Sequence, residues 1–193
     1  MLYLRLAATG VLLSGILCTC PVEAAGYPSQ SHAHLGPVLE LDADFGGDNV
    51  ARVFYTDGST QDIKAGQGIA PAVGLHYQLA AAPVDFAVTV GYKYVTTRAS
   101  NVDIHIDRVE IKALGTYELP GHFWIDAGPV WHTGVQFHGG GYIPDFSFND
   151  AVGATVGFGW RWIGVAYTHI TYDSDITGSV DASNVGLTLA WKF

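Results

Sequence analysis

The chain has 193 residues with a formal net charge of −9 at pH 7, and 49% of its residues are hydrophobic. The negative charge argues against a nucleic-acid partner, since phosphate binding needs a basic patch. Beyond residue 25 there is no long apolar run, which argues against a bundle of membrane-spanning helices, because each such helix needs about 20 consecutive apolar residues.

Residues 1–25 have the anatomy of a secretory signal peptide. Arg5 supplies the positive charge, residues 6–17 form a short apolar run, and Ala25 is a small residue suited to cleavage. We predict cleavage near Ala25, followed by a flexible stretch over residues 26–34. Cys18 and Cys20 both fall within the predicted signal, so the mature protein is predicted to lack thiols. Cleavage before a lipid-modified Cys20 is the alternative.

Eight later segments alternate apolar residues with polar or small ones, as Leu39 and Leu41 do with Glu40 and Asp42. The predicted strands cover residues 35–45, 69–79, 86–96, 104–119, 123–135, 151–160, 163–172 and 182–193. In a membrane-spanning barrel, strands of about ten residues turn apolar side chains to lipid and polar ones to the lumen. We therefore predict an all-β fold over residues 35–193: an eight-stranded antiparallel transmembrane β-barrel with an up-and-down meander.

The connections between these strands alternate in length. Short turns fall near residues 81–83, 120–121 and 161–162, whereas the longer connections cover residues 46–68, 97–103, 136–150 and 173–181. Outer-membrane barrels have short periplasmic turns and longer external loops, so both termini are predicted to be periplasmic. In the first long connection, Asp57-Gly58 separates two short apolar segments, which predicts a hairpin with a type I′-like turn.

Aromatic residues near the strand ends suggest an interfacial girdle. At the turn end these are Trp124, Trp160, Trp162, Trp191 and Phe193, and at the loop end Tyr94, Phe137 and Tyr142. Val135 is predicted to face outward with Trp131 on the fifth strand.

The polar faces of the strands place charges of both signs in the lumen: Glu40, Asp42, Lys93, Arg108, Glu110, Lys112 and Asp126. Because buried charges persist when paired, we predict an ion-pair network that closes the barrel. A path for polar solutes or protons is the alternative.

The last strand carries the most specific pattern in the chain. Its apolar face is Val185, Leu187, Leu189, Trp191 and Phe193, and the residues between are small or polar. This ladder, ending on an aromatic residue, resembles the closing strand of bacterial outer-membrane barrels. The resemblance implies that these five residues form the signal read by the barrel assembly machinery.

The mature chain as a whole resembles the small eight-stranded outer-membrane barrels of the OmpA, OmpX and OmpW-like group. Residues 56–61 and 63–68 are also similar to a segment of poorly characterised proteobacterial barrels. The resemblance implies a Gram-negative outer membrane, with its lipids and lipopolysaccharide as partners. It leaves function open, because this group includes structural anchors, adhesion factors, small channels and lipid A-modifying enzymes.

Chemistry-bearing motifs are few. Barrel enzymes that deacylate lipid A carry a His-x-Ser pair, and the nearest arrangement here is His169-Ile170-Thr171. Thr171 replaces the serine, so we predict no enzyme activity.

His32 and His34 form one possible metal-binding pair, and Asp103, His105 and Asp107 share one strand face. Neither set has a specific metal-binding motif, and we predict no metal centre and no cofactor.

The sequence therefore predicts an integral outer-membrane barrel with a structural role, or one in interactions with a surface partner through its loops. A narrow channel for small solutes is the second hypothesis. A lipid A-modifying enzyme is the third.

Overall fold

The computed structural model describes residues 33–55, 58–96, 104–176 and 178–193. The predicted signal peptide and residues 26–32 lie outside the described residues. The described residues form thirteen strands: β1 (His34–Phe45), β2 (Asn49–Phe54), β3 (Thr60–Lys64), β4 (Gly68–Gln78), β5 (Val84–Thr96), β6 (His105–Leu119), β7 (Phe123–His138), β8 (Phe146–Ser147), β9 (Ala151–Trp160), β10 (Ile163–His169), β11 (Thr171–Ser174), β12 (Gly178–Asp181) and β13 (Asn184–Lys192). Among the described residues, no helix is long and apolar enough to cross a membrane.

Eight of these strands close into a single antiparallel barrel. Their order around the barrel is β1, β4, β5, β6, β7, β9, β10 and β13, and β13 pairs back onto β1. Each barrel strand pairs with the next one along the chain, so the predicted eight-stranded up-and-down meander is confirmed. The first strand begins at His34, the last residue of the stretch predicted to be flexible.

The predicted seventh strand is divided in the structure. Its first part, β10, belongs to the barrel wall, whereas β11 pairs only with β12 in a separate hairpin. The predicted hairpin in the first long connection is confirmed as the β2–β3 pair. Gly58 lies at the end of its loop, where its N–H bonds to the Tyr55 carbonyl and its φ is 83°.

The alternation of apolar and polar residues places them on opposite faces of the wall. Along β1, Glu40 and Asp42 are buried in the interior, while Leu39 and Leu41 are exposed on the outside. A strand turns successive side chains to opposite faces, so this period in the sequence decides which residues enter the lumen.

Three predicted orientations are wrong on β7. Val135 and Phe137 were expected on the outside or in the girdle, yet both are buried in the interior. A bulge between Thr133 and Gln136 shifts the register against β6, and Gly134 adopts a φ of 61° there. One extra residue reverses the side-chain parity beyond it. Trp124, also assigned to the girdle, turns its ring inward over Gly159 and Gly164.

The two ends of the barrel differ. Both ends of the described barrel chain and the short connections lie at one end, called here the turn end, and the long connections lie at the other, called the loop end. Inward side chains of the barrel rim and residues from the connections pack there into one apolar cluster, called here the loop-end cluster. It comprises Ala51, Ile63, Ala65, Val95, Ile104, Ile106, Val130, Val135, Phe137, Phe148, Ala151, Ile170, Tyr172 and Ala182.

Main-chain hydrogen bonds join the long connections to one another. The Asp48 N–H donates to the Asp181 carbonyl over 2.7 Å, which links the first connection to the last. The Asn149 N–H donates to the Asp173 carbonyl over 2.8 Å, which links the third connection to the last. The first, third and last connections therefore cover the loop end as one bonded layer above the barrel.

Candidate functional site

The barrel interior gathers charged side chains from neighbouring and facing strands. Six of the seven predicted lumen residues are buried there: Glu40, Asp42, Lys93, Arg108, Glu110 and Lys112. Each lies on the face of its strand opposite to the exposed apolar residues, as the period-two pattern requires. Asp44, the next inward residue of β1, is also buried.

Lys112 lies at the centre of the ion pairs inside the barrel. Its Nζ pairs with Glu40, lies 2.6 Å from Asp42 Oδ2 and lies 3.6 Å from Glu110 Oε1. The Thr188 hydroxyl donates to the other Asp42 oxygen over 2.6 Å. One ammonium group on β6 thus joins carboxylates of β1, and a hydroxyl of β13 completes the set.

A second lysine extends the contacts towards the loop end. Lys93 Nζ lies 2.5 Å from Asp44 Oδ2 and 3.6 Å from Glu110 Oε2. Glu110 also accepts a hydrogen bond from His132 Nε2 over 2.7 Å. Contacts therefore run without a break from Glu40 through Lys112 and Glu110 to His132.

The network ends at Tyr172, which belongs to the loop-end cluster. The Tyr172 hydroxyl lies 2.5 Å from His132 Nδ1 and donates to it, because the other ring nitrogen carries the proton given to Glu110. Burial raises the pKa of Tyr172 to about 12. The hydroxyl therefore keeps its proton at physiological pH. His132 was missed at the sequence level, although its position next to outward Trp131 already implied an inward side chain.

Arg108 has a different partner from the one expected. It was predicted to join the ion-pair network, but its Nη2 donates to the Gln67 carbonyl over 3.1 Å and its guanidinium lies 5.8 Å from the centre of the Tyr172 ring. Its Nε and Nη1 are buried without a hydrogen-bond partner among the described residues. The network of ion pairs is therefore built on the two lysines.

Asp126 is half-buried and stands apart from these ion pairs. It lines a cavity of about 370 Å³ in the turn-end half of the barrel, together with Lys112, Trp124, Trp162 and Lys192. The cavity lies between the network and the turn end. It therefore reaches the network without passing the loop-end cluster.

A second charged group lies at the turn end and was not predicted. Asp85 is 1% exposed, and its two carboxylate oxygens lie 2.7 Å from His76 Nδ1 and 2.7 Å from Lys192 Nζ. His76 Nε2 and His34 Nε2 both donate to the main-chain oxygen of Phe193. This group ties β4, β5 and β13 together. Lys192 could have been found from its place between the outward residues Trp191 and Phe193.

The glycines of β9 leave space that neighbouring side chains occupy. The Trp124 ring lies over the cross-strand pair Gly159 and Gly164, and its Nε1–H donates to the Arg161 carbonyl over 2.9 Å. The Asp126 carboxylate lies against Gly157 in the same way. The space is therefore filled from the adjacent strand β7.

The weak catalytic candidates do not form a pair. His169 is exposed on the outer face, and its Nδ1 bonds to Ser183 Oγ over 3.0 Å. Thr171 lies on the hairpin strand β11 opposite Asp181. His169 and Thr171 therefore have separate partners.

The residues of the predicted assembly signal line the outer face of β13. Val185, Leu187, Trp191 and Phe193 are exposed there. The Phe193 N–H donates to the Pro37 carbonyl over 3.1 Å.

Of the predicted metal-binding candidates, His32 and Asp103 lie outside the described residues. His105 and Asp107 lie beside His138 at the loop-end rim.

Comparison with models of known protein families finds no match, and no curated protein matches the chain significantly. Membership of a particular barrel family therefore has no support from relatives.

Proposed function

We propose that this protein is an integral barrel of the bacterial outer membrane, with a structural or surface-interaction role and a lumen closed to solutes. The observation that carries the proposal is the combination of an apolar outer wall with an interior that is charged and blocked.

The outer wall presents large apolar side chains around its whole circumference. One such residue from each barrel strand is between 44% and 61% exposed: Leu39, Val73, Val88, Tyr117, Ile125, Val156, Val165 and Leu187. Soluble proteins rarely expose continuous apolar patches larger than a few hundred Å². A bilayer would cover this surface, and the closed barrel leaves no unpaired strand edge in the lipid. The polar interior is likewise typical of membrane barrels.

The interior is obstructed at two levels. The loop-end cluster fills the mouth with apolar side chains, and the bonded connections cover it. Below it, the ion pairs of Lys112 with Asp42 and of Lys93 with Asp44 join β6 and β5 to β1 across the lumen. A solute entering the turn-end cavity would have to separate buried ion pairs and then apolar packing. This supports a closed barrel over a channel.

The covered loop end supports a role at the cell surface. The connections form a bonded layer, and the β2–β3 hairpin carries an exposed ion pair between Arg52 and Asp62. Binding loops are commonly presented on rigid scaffolds. With the short turns in the periplasm, this layer would face the exterior, next to lipopolysaccharide and any surface partner.

Three measurements test the proposal: cell fractionation, planar-bilayer conductance, and mass spectrometry of lipid A with and without the protein. On fractionation of cells, we expect the protein in the outer membrane, with an electrophoretic mobility that changes on heating. In planar bilayers, we expect the purified barrel to give no steady conductance. Recovery in the soluble periplasmic fraction would contradict the membrane assignment. Steady ion conduction by the wild type would favour the channel hypothesis, and a protein-dependent change in lipid A mass would favour the enzyme.

A further inference from the structure

Three side chains of the types that can bind a metal ion lie together on the outer face of the barrel at the loop-end rim. His105 is the first residue of β6 and His138 the last of β7, and the two are directly opposite in the register of these strands. Asp107 lies two residues along β6 on the same face. Side chains opposite each other on paired strands have Cβ atoms about 5 Å apart. The β6–β7 register therefore brings all three together.

The distances suit a shared ion. Asp107 Oδ1 lies 3.3 Å from His138 Nε2 and 3.9 Å from His105 Nε2. One ligand atom from each residue lies within 4.8 Å of the other two. Zinc bonds of 2.0–2.1 Å to nitrogen place tetrahedral ligands about 3.3 Å apart. Small rotations of side chains that are only partly buried would bring them to that spacing.

Neighbouring groups support the orientation of these ligands. The His105 and His138 rings are stacked with their centres 4.5 Å apart. His138 Nδ1 lies 3.6 Å from the Asp145 carboxylate, on the side away from Asp107. A carboxylate beside the second nitrogen of a metal-bound histidine fixes its tautomer and raises its basicity.

We propose that His105, Asp107 and His138 bind one first-row divalent cation, with Zn²⁺ as the natural choice. Two imidazoles and one carboxylate are typical zinc ligands, whereas Mg²⁺ and Ca²⁺ prefer oxygen ligands. Three protein ligands leave a fourth position for water or an external anionic group. The ion would join the two strands at the rim. The site needs only the β6–β7 pairing and is independent of whether the lumen conducts.

Zinc titration of the untagged, refolded mature protein tests the site. We expect saturable binding of one Zn²⁺ by isothermal titration calorimetry and none of Mg²⁺. The variants Asp107→Asn and His138→Ala should each lower the zinc affinity at least about tenfold, the scale at which even supporting residues act. His122→Asn, at the turn end, and His34→Ala remove an imidazole elsewhere and should leave the affinity unchanged.

A second readout does not depend on heats of binding. An ion that binds only the folded barrel raises its thermal unfolding temperature. Zn²⁺ should therefore raise this temperature for the wild type and for His122→Asn, but not for His138→Ala. The proposal is overturned if the wild type binds no zinc, or if the rim variants bind zinc and gain thermal stability as the wild type does.

Discussion

Among the described residues, Lys112 contacts the largest number of charged side chains inside the barrel. It contacts Glu40, Asp42 and Glu110 at once. Arg108 is as deeply buried, but its hydrogen-bond partner among the described residues is a main-chain carbonyl, which accepts from Nη2. Removing one member of a buried ion pair strands its partner, which typically costs about 3–5 kcal/mol.

The same substitution by Met is therefore expected to lower the free energy of unfolding by different amounts at Lys112 and at Arg108. Lys112→Met should lower the free energy of unfolding by about 3–5 kcal/mol, because three carboxylates lose their shared cation. Arg108→Met should cost less, since it strands no paired carboxylate. Urea unfolding of both variants in the same lipid vesicles gives the comparison. Equal losses, or a larger loss for Arg108→Met, would contradict the network described here.

The buried Tyr172 hydroxyl is expected to make the stability of the barrel fall at alkaline pH. Burial raises its pKa from the usual value of about 10 to about 12, so the folded state favours the protonated hydroxyl. This contribution is fully present below pH 10 and is lost as pH rises through about 12, an effect of about 3 kcal/mol. Tyr172→Phe lacks the ionisation. Urea unfolding at pH 9 and pH 12 should therefore show the wild type losing more stability than the variant, and equal losses would refute the assignment.

At the scale of the strands, glycines on β9 and β10 provide the space in which β7 packs. Gly159 and Gly164 are cross-strand partners, and the Trp124 ring lies over both. A Cβ at either position would overlap the ring. The same pairing leaves Trp124 at the wall of the turn-end cavity.

This packing predicts a cost for a single methyl group. Gly159→Ala should destabilise the barrel by about 1–3 kcal/mol, the usual range for overpacking. Gly115→Ala is the control, because a Cβ there would meet the Phe86 ring at an ordinary 3.6 Å. Both variants can be measured by urea unfolding. A Gly159→Ala barrel as stable as Gly115→Ala would mean that Trp124 moves aside freely.

At the scale of the whole molecule, β13 closes the barrel against β1. Phe193 is held at this seam through Pro37, His34 and His76. Its ring and that of Trp191 remain exposed on the outer face. The residues of the predicted assembly signal are thus accessible outside, while the main chain at Phe193 is bonded to the seam.

Replacing both Trp191 and Phe193 with Ser should leave the protein exported but poorly inserted. The closing strand would lose its recognition pattern and two rings suited to the headgroup region. The double variant Phe123→Ser/Trp160→Ser removes two exposed rings from neighbouring strands at the same end and keeps the β13 pattern. Heat-modifiable barrel in the outer-membrane fraction should fall far more for the first variant than for the second. Equal amounts would argue against a signal in β13.

The eight barrel strands, their order and, outside β7, the side of each strand that faces the lumen could be predicted from the amino-acid sequence. These features follow from a period-two pattern that can be read one strand at a time. Glu40, Asp42, Lys93, Glu110 and Lys112 were predicted inside for this reason. The short turns and the β2–β3 hairpin were likewise visible in local residues.

Which side chains contact one another depends on the tertiary structure and could not be predicted from single strands. The bulge at Gly134 turned Val135 and Phe137 inward, and the β6–β7 register brought His138 to His105 and Asp107. The partners of the interior charges, and the closure of the loop end by its connections, depend on strands that are distant in sequence. A side chain's parity is a local property of its strand, whereas its neighbours are set by register and barrel closure, to which all eight strands contribute.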